Sequence, residues 1–143
     1  MALVYFDSSA LVKLVLDETG SELAAALWNG CDAALSSRSA YPEVCAALAA
    51  ASRNHDLTQS EVSGAREEWE MFWASMRPVE LTSDVEQRAG DLAALHFLRG
   101  ADAVHLASAV ALGVADLTVA VWDQRFHAGV IATGLAAAPA TLA

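Results

Sequence analysis

A chain of 143 residues with 55% hydrophobic content suffices for one well-cored domain, expected to run over residues 1–143. Its net charge of −10, with Lys13 the only lysine, speaks against the basic stripe of an ordinary polyanion binder, unless bound divalent metal offsets part of that charge. Cys31 and Cys45 lack metal-ligand spacing and read as reduced thiols. With no charged leader and no apolar run of the ~20 residues a span needs, the chain reads as soluble and cytoplasmic, without a membrane partner.

Residues 2–6, Ala-Leu-Val-Tyr-Phe, predict a buried strand, and Asp7-Ser8-Ser9 ends it with N-cap chemistry for a helix to about Leu16. A second helix fits Ser21 to Trp28, stopped by Gly30, and Ala33 to Ser36 is a weak strand. A helix from about Ser39 to Arg53 follows, with Pro42 tolerated in its first turn. Thr58-Gln59-Ser60-Glu61 is a capping box that opens a long helix to about Met76. Pro78 ends that helix, and Val79 to Leu81 is a candidate strand. Ser83-Asp84-Val85-Glu86 is a second capping box, starting a helix that Gly100 closes. Asp102 begins a further helix that ends at Gly113. Leu117 to Trp122 is a second strongly apolar strand, Asp123 follows at once, and the tail from Val130 offers a last short strand. Strands that alternate with helices and read as continuous apolar runs predict a parallel sheet covered on both faces, a three-layer α/β/α architecture.

Four acids stand apart from the solvated ones. Asp7 is the only acid in residues 1–16, and Glu43 is the only charge in 40–51. Asp102 is the only formal charge in 100–115, and Asp123 the only one in 117–124. An ionised carboxylate in apolar surroundings is costly unless something pairs it, and too few cations accompany these four. Asp7 and Asp123 end the two best strands, where parallel sheets form their ligand crevices. A cluster of oxygen donors there suits Mg²⁺ or Mn²⁺ rather than zinc. Each acid also has a local reading. Asp7 and Asp102 can be N-caps, Glu43 favours the dipole of a first helical turn, and Asp123 suits a turn.

In order and spacing, Asp7-Ser8-Ser9-Ala10-Leu11-Val12-Lys13, then Glu43, then Gly100-Ala101-Asp102-Ala103-Val104-His105-Leu106-Ala107, then Trp122-Asp123-Gln124-Arg125-Phe126 resemble the PIN-domain ribonucleases. The resemblance is closer still to the VapC toxins of bacterial toxin–antitoxin pairs, and it covers residues 3 to about 127. It implies a five-stranded parallel sheet and a Mg²⁺-dependent endoribonuclease, commonly dimeric, held silent by a small antitoxin protein. It also implies that Asp7 and Asp102 are the principal metal ligands, with Glu43 and Asp123 acting directly or through water. One departure is Val121, where the family often carries Thr or Ser.

Several residues keep two readings. Ser9 is either a hydrogen-bond partner for a metal water or, with Ser8, a helix cap. His105, one turn after Asp102, is either a core histidine or a substrate contact. Lys13, Arg99 and Arg125 are the cations nearest the acids in sequence, either solvated or meeting phosphate. Trp69, Phe72, Trp73 and Met76 recur at helical spacing, as a core stripe or as a groove for a partner helix. An aspartyl phosphotransfer domain is disfavoured, because Asp7-Ser8-Ser9 offers neither a DxD pattern nor adjoining acids. The remaining alternative is a catalytically silent RNA-binding or scaffold module on the same fold.

Overall fold

The computed structural model describes residues 1–54 and 56–142. In chain order the elements are β1 Leu3–Phe6, α1 Ser8–Val15, α2 Ser21–Gly30, β2 Ala33–Ser37, α3 Ala40–Arg53 and α4 Gln59–Ala74. They continue as β3 Arg77–Val79, α5 Ser83–His96, α6 Gly100–Ala111, β4 Thr118–Ala120, α7 Gln124–Ala132 and β5 Ala136–Ala138. Among the described residues the strands form one five-stranded sheet, ordered β3-β2-β1-β4-β5 and parallel throughout.

Strand alternation divides the core. Val4 and Phe6 point to one face, where they meet Ala10, Leu11, Val44, Leu48 and Trp69 from α1, α3 and α4. Tyr5 points to the other face, among Val85, Ala103, Leu106 and Phe126 from α5, α6 and α7. The result is the expected three layers. Burying each of the valine, leucine and phenylalanine side chains contributes roughly 1.5–3 kcal/mol, so the layers hold by packing rather than by propensity. Gly129 shows how close α7 lies to α6, since a Cβ there would come within 3.2 Å of Leu106 Cδ2.

The order of strands reverses beside β1. β2 and β3 extend the sheet on one side, then the chain crosses back to lay β4 and β5 on the other. The gap between the carboxyl ends of β1 and β4 is therefore the crevice where such sheets bind ligands.

Several local expectations need correction. Asp102 does not start α6: Arg99 is the N-cap, and Asp102 sits in the first turn. Helix α5 is capped by Thr82, whose hydroxyl accepts from Val85 N at 3.2 Å, and it ends before Phe97 rather than at Gly100. Strand β3 begins at Arg77 and contains Pro78, which a sheet edge tolerates because the missing N–H is not needed on the open side. The tail from Val130 is first the end of helix α7, and the last strand is the weaker alanine run of β5. Trp69 is fully buried, stacked on Tyr41 and tilted against Trp73, so it belongs to the core and offers no partner surface. No helix among the described residues is long and apolar enough to cross a membrane.

Candidate active site

Strand β1 delivers Asp7 to the crevice and α1 starts immediately after it. Asp7 is the N-cap of α1, its Oδ1 accepting from Ala10 N at 2.8 Å. Asp123 stands beyond β4 and caps α7, its Oδ2 accepting from Phe126 N at 3.0 Å. The capping reading of Asp7 thus holds, Asp123 is a cap where the sequence suggests a turn, and both carboxylates also line a cleft beyond the sheet. Glu43 and Asp102 lie in the first turns of α3 and α6, where the helix dipole favours a carboxylate.

A cleft of about 270 Å³ is lined by Asp7, Ser8, Ser9, Glu43, Asp102 and His105, with Arg99 and Ala101 at its edge. Three of the four expected acids therefore share one cleft. Asp123 lies in an adjoining cleft of about 520 Å³ that also includes Asp102, Arg99, Trp122 and Arg125. Asp102 is common to both, and Arg99 bridges the pair, its Nη2 lying 3.1 Å from Asp102 Oδ2 and 3.9 Å from Asp123 Oδ1.

One side of the first cleft is a closed hydrogen-bond network. His105 is buried, with Nε2 2.9 Å from Glu43 Oε1 and Nδ1 2.8 Å from Tyr5 Oη. Ser8 Oγ donates to Glu43 Oε1 at 2.8 Å, and Ser39 Oγ donates to the same oxygen at 3.2 Å. An ionised Glu43 can only accept, so Nε2 carries a hydrogen, and a neutral ring then takes the Tyr5 hydroxyl at Nδ1. Burial opposes ionisation of Glu43, but the hydrogen bonds from His105, Ser8 and Ser39 outweigh it and hold the carboxyl below its usual range. Burial dominates at Tyr5 and pushes its phenol well above 10.0. His105 is the core histidine of the earlier reading, yet it also orients a site acid. In sequence, Tyr5 reads only as part of an apolar strand. The available signal was that a buried tyrosine hydroxyl needs a partner.

Asp7 is the opposite case. It is only 4% exposed, and among the described residues no cation forms an ion pair with it. Burial pushes its carboxyl up from 3.8 to about 6, with Asp102 adding to the rise and His105, Ala10 N–H and Lys13 opposing it. Lys13 itself is committed elsewhere, with Nζ 3.0 Å from Glu18 Oε1 and 5.1 Å from the centre of the Trp122 ring. Gly20, at φ 96, lets the α1–α2 turn close on that tryptophan, because a Cβ would stand 2.8 Å from Trp122 Nε1. Arg125 is exposed and pairs with no acid among the described residues. The side chain of Val121 is buried in the core beneath α5–α7.

Among the described residues, no group of three or more His, Cys, Asp or Glu side chains stands ready to hold a metal ion. Glu43 is turned to His105 and the two serines, while Asp102 and Asp123 are turned to Arg99. The donor set nevertheless fits a hard cation. Mg²⁺ is commonly held by one or two carboxylates with water completing its shell, and Asp7 is a buried carboxylate with no ion-pair partner among the described residues.

A family model for the PIN domain matches residues 4–128, and the chain belongs to that family. Over 142 residues, 99% of each chain, it is 68% identical to Ribonuclease VapC45 of Mycobacterium tuberculosis strain CDC 1551 / Oshkosh. The same identity and coverage relate it to Ribonuclease VapC49 of Mycobacterium tuberculosis strain ATCC 25618 / H37Rv. Two solved structures share the fold. One is a toxin–antitoxin complex from Klebsiella pneumoniae, with a TM-score of 0.63 at 20% identity over 94% of this chain and 95% of that one. The other is Mycobacterium tuberculosis VapC20, described as a toxin that cleaves the sarcin–ricin loop, with a TM-score of 0.66 at 18% identity over 87% of this chain and 93% of that one.

Proposed function

We propose that this protein is a Mg²⁺-dependent endoribonuclease, with Mn²⁺ as a substitute, and the toxin of a cytoplasmic toxin–antitoxin pair. One observation carries the reading: Asp7, buried and without an ion-pair partner among the described residues, faces Glu43 and Asp102 at the switch point of a parallel sheet. The names of the two relatives at 68% identity support it independently.

Asp7 and Asp102 would be the principal ligands of the ion, with Asp123 and Glu43 binding it directly or through water. Bound there, Mg²⁺ supplies Lewis-acid polarisation of the phosphoryl group and a water of lowered pKa. The chain does the rest. His105 and the serines hold Glu43 ionised and fixed in direction, so one acceptor is aimed before substrate arrives. The N-cap bond holds Asp7 in place, while burial under α1 keeps bulk water from screening it. Arg99 and Arg125 supply cations on the side where a phosphate backbone would enter.

For the antitoxin, a groove of about 840 Å³ runs between α1, α3 and α4. Its floor includes Val12, Val15, Ala47 and Ala65, and Asp17, Glu18, Glu61 and Glu68 stand on its rim. An apolar floor between acidic rims supports docking of a basic amphipathic segment, and such a partner could bring an arginine to the acids. A homodimer is what the family resemblance implies, and the hollow formed by Pro42, Ala46, Leu81 and Val104 beside Glu43 is an apolar surface that a second copy could cover.

The test is cleavage of total RNA by purified protein with Mg²⁺ and with EDTA. Cleavage should require the metal, and Asp102→Asn should lower it by at least about 10²-fold while circular dichroism stays unchanged. Activity in EDTA, or activity retained by Asp102→Asn, would overturn the reading.

A further inference from the structure

Helix α5 is closed by Phe97, which lies in the left-handed region at φ 56. Glycine or asparagine usually takes that place, because a side chain with a Cβ costs roughly 1–2 kcal/mol there. The ring brings little packing in exchange: Phe97 is 77% exposed, while Leu98 beside it is buried and anchors the segment. An aromatic that is both strained and solvated is a cost to this chain on its own, and such costs persist where a ligand uses them.

The position of Phe97 indicates that ligand. Phe97 lines the cleft that contains Asp102 and Asp123, together with Arg99, Arg125 and Trp122. Single-stranded nucleic acids are held by this combination, with bases stacked on exposed rings and guanidinium groups on the phosphates. Leu95 is also exposed nearby, and Leu95 and Phe97 border a second hollow, which is the feature a protein partner would use. Arg99 and Trp122 line the cleft but not the hollow, and Arg125, which pairs with no acid among the described residues, lines both, so the cationic and aromatic side of Phe97 is the cleft, which favours RNA.

We infer that Phe97 is the stacking platform for one unpaired base of the substrate, next to the scissile phosphate, with Arg99 and Arg125 meeting the flanking phosphates. The inference rests on the ribonuclease reading and gives that site a substrate class: RNA with an unpaired or extruded nucleotide at the cut.

The experiment compares wild type, Phe97→Gly and Phe97→Tyr as full chains, cleaving total RNA in millimolar Mg²⁺, with apparent KM and kcat measured separately. Loss of one stacked base should raise KM roughly 5- to 100-fold in Phe97→Gly with a smaller change in kcat, and Phe97→Tyr should restore wild-type KM. Phe97→Gly should melt no lower than wild type, since glycine relieves the left-handed strain, so misfolding cannot mimic the result. Equal KM for Phe97→Gly and wild type would overturn the platform while leaving the nuclease standing. So would a Phe97→Gly protein whose only change is a lower sedimentation mass. If wild type fails to cleave RNA at all, the ribonuclease reading itself falls and the platform falls with it.

Discussion

Glu43 and Asp102 face one cleft from α3 and α6, yet Glu43 accepts from buried His105 and two serines, whereas Asp102 pairs with an arginine that is 79% exposed. Behind Glu43 the chain of contacts continues to Tyr5 in the central strand, so turning this acid disturbs the core. Behind Asp102 the one partner among the described residues is a solvated guanidinium, which can leave at little cost. The buried wall therefore fixes geometry, and the exposed wall sets charge. A cation or a phosphate entering the cleft would be expected to rearrange Arg99 and leave the Glu43 network in place.

This contrast breaks first at His105. His105→Ala leaves Tyr5 Oη and Glu43 without their shared partner and opens a void, and it should cost about 3 kcal/mol in urea unfolding. A loss below about 1 kcal/mol would mean that the buried wall is no more fixed than the exposed one.

The exposed wall should respond in the opposite manner. Arg99→Gln removes an exposed pair and should change stability by less than about 0.5 kcal/mol. Because it also removes a cation from between Asp102 and Asp123, it should tighten Mn²⁺ binding several-fold in titration calorimetry. Weaker Mn²⁺ binding would show that Arg99 supports the acids rather than competing for them.

Much of this was legible in sequence, for physical reasons. β1 and the long capped helix α4 carry strong local signals, an apolar run ended by Asp7 and a complete Thr58–Glu61 capping box. The four acids stand out because each is alone in apolar sequence, and three of them line one cleft. Helix α7 was missed because Asp123 read as a turn. The signal for it was there in Asp123 as a cap with buried Phe126, Gly129 and Val130 at helical spacing. Strand β5 is three alanines and has no apolar pattern of its own. It exists because β4 offers it an edge. The orientation of Glu43 was not legible, because it depends on Ser8, His105 and, behind it, Tyr5, which lie far from it in the chain and meet only in the fold. The matches to PIN and VapC proteins bear out the family and the sheet, while the metal remains a proposal.

Asp7 tests the account most directly. In the folded protein without metal its carboxyl keeps a proton up to about pH 6, against 3.8 for the ordinary group. The stability carried by the protonated form is thus complete below the lower value and lost as pH rises through the upper one. Asp7→Asn keeps the cap but never ionises. The measurement is urea unfolding of wild type and Asp7→Asn, in EDTA and in millimolar Mn²⁺, from about pH 4 to about pH 7.5. In EDTA the two should lie within about 1 kcal/mol of each other at the acid end, and the variant should be ahead by on the order of 2–3 kcal/mol at the neutral end. Mn²⁺ should then stabilise wild type far more than Asp7→Asn. A variant no more stable than wild type at neutral pH, or equal stabilisation of both by Mn²⁺, would contradict a cation site built around a buried, unpaired Asp7.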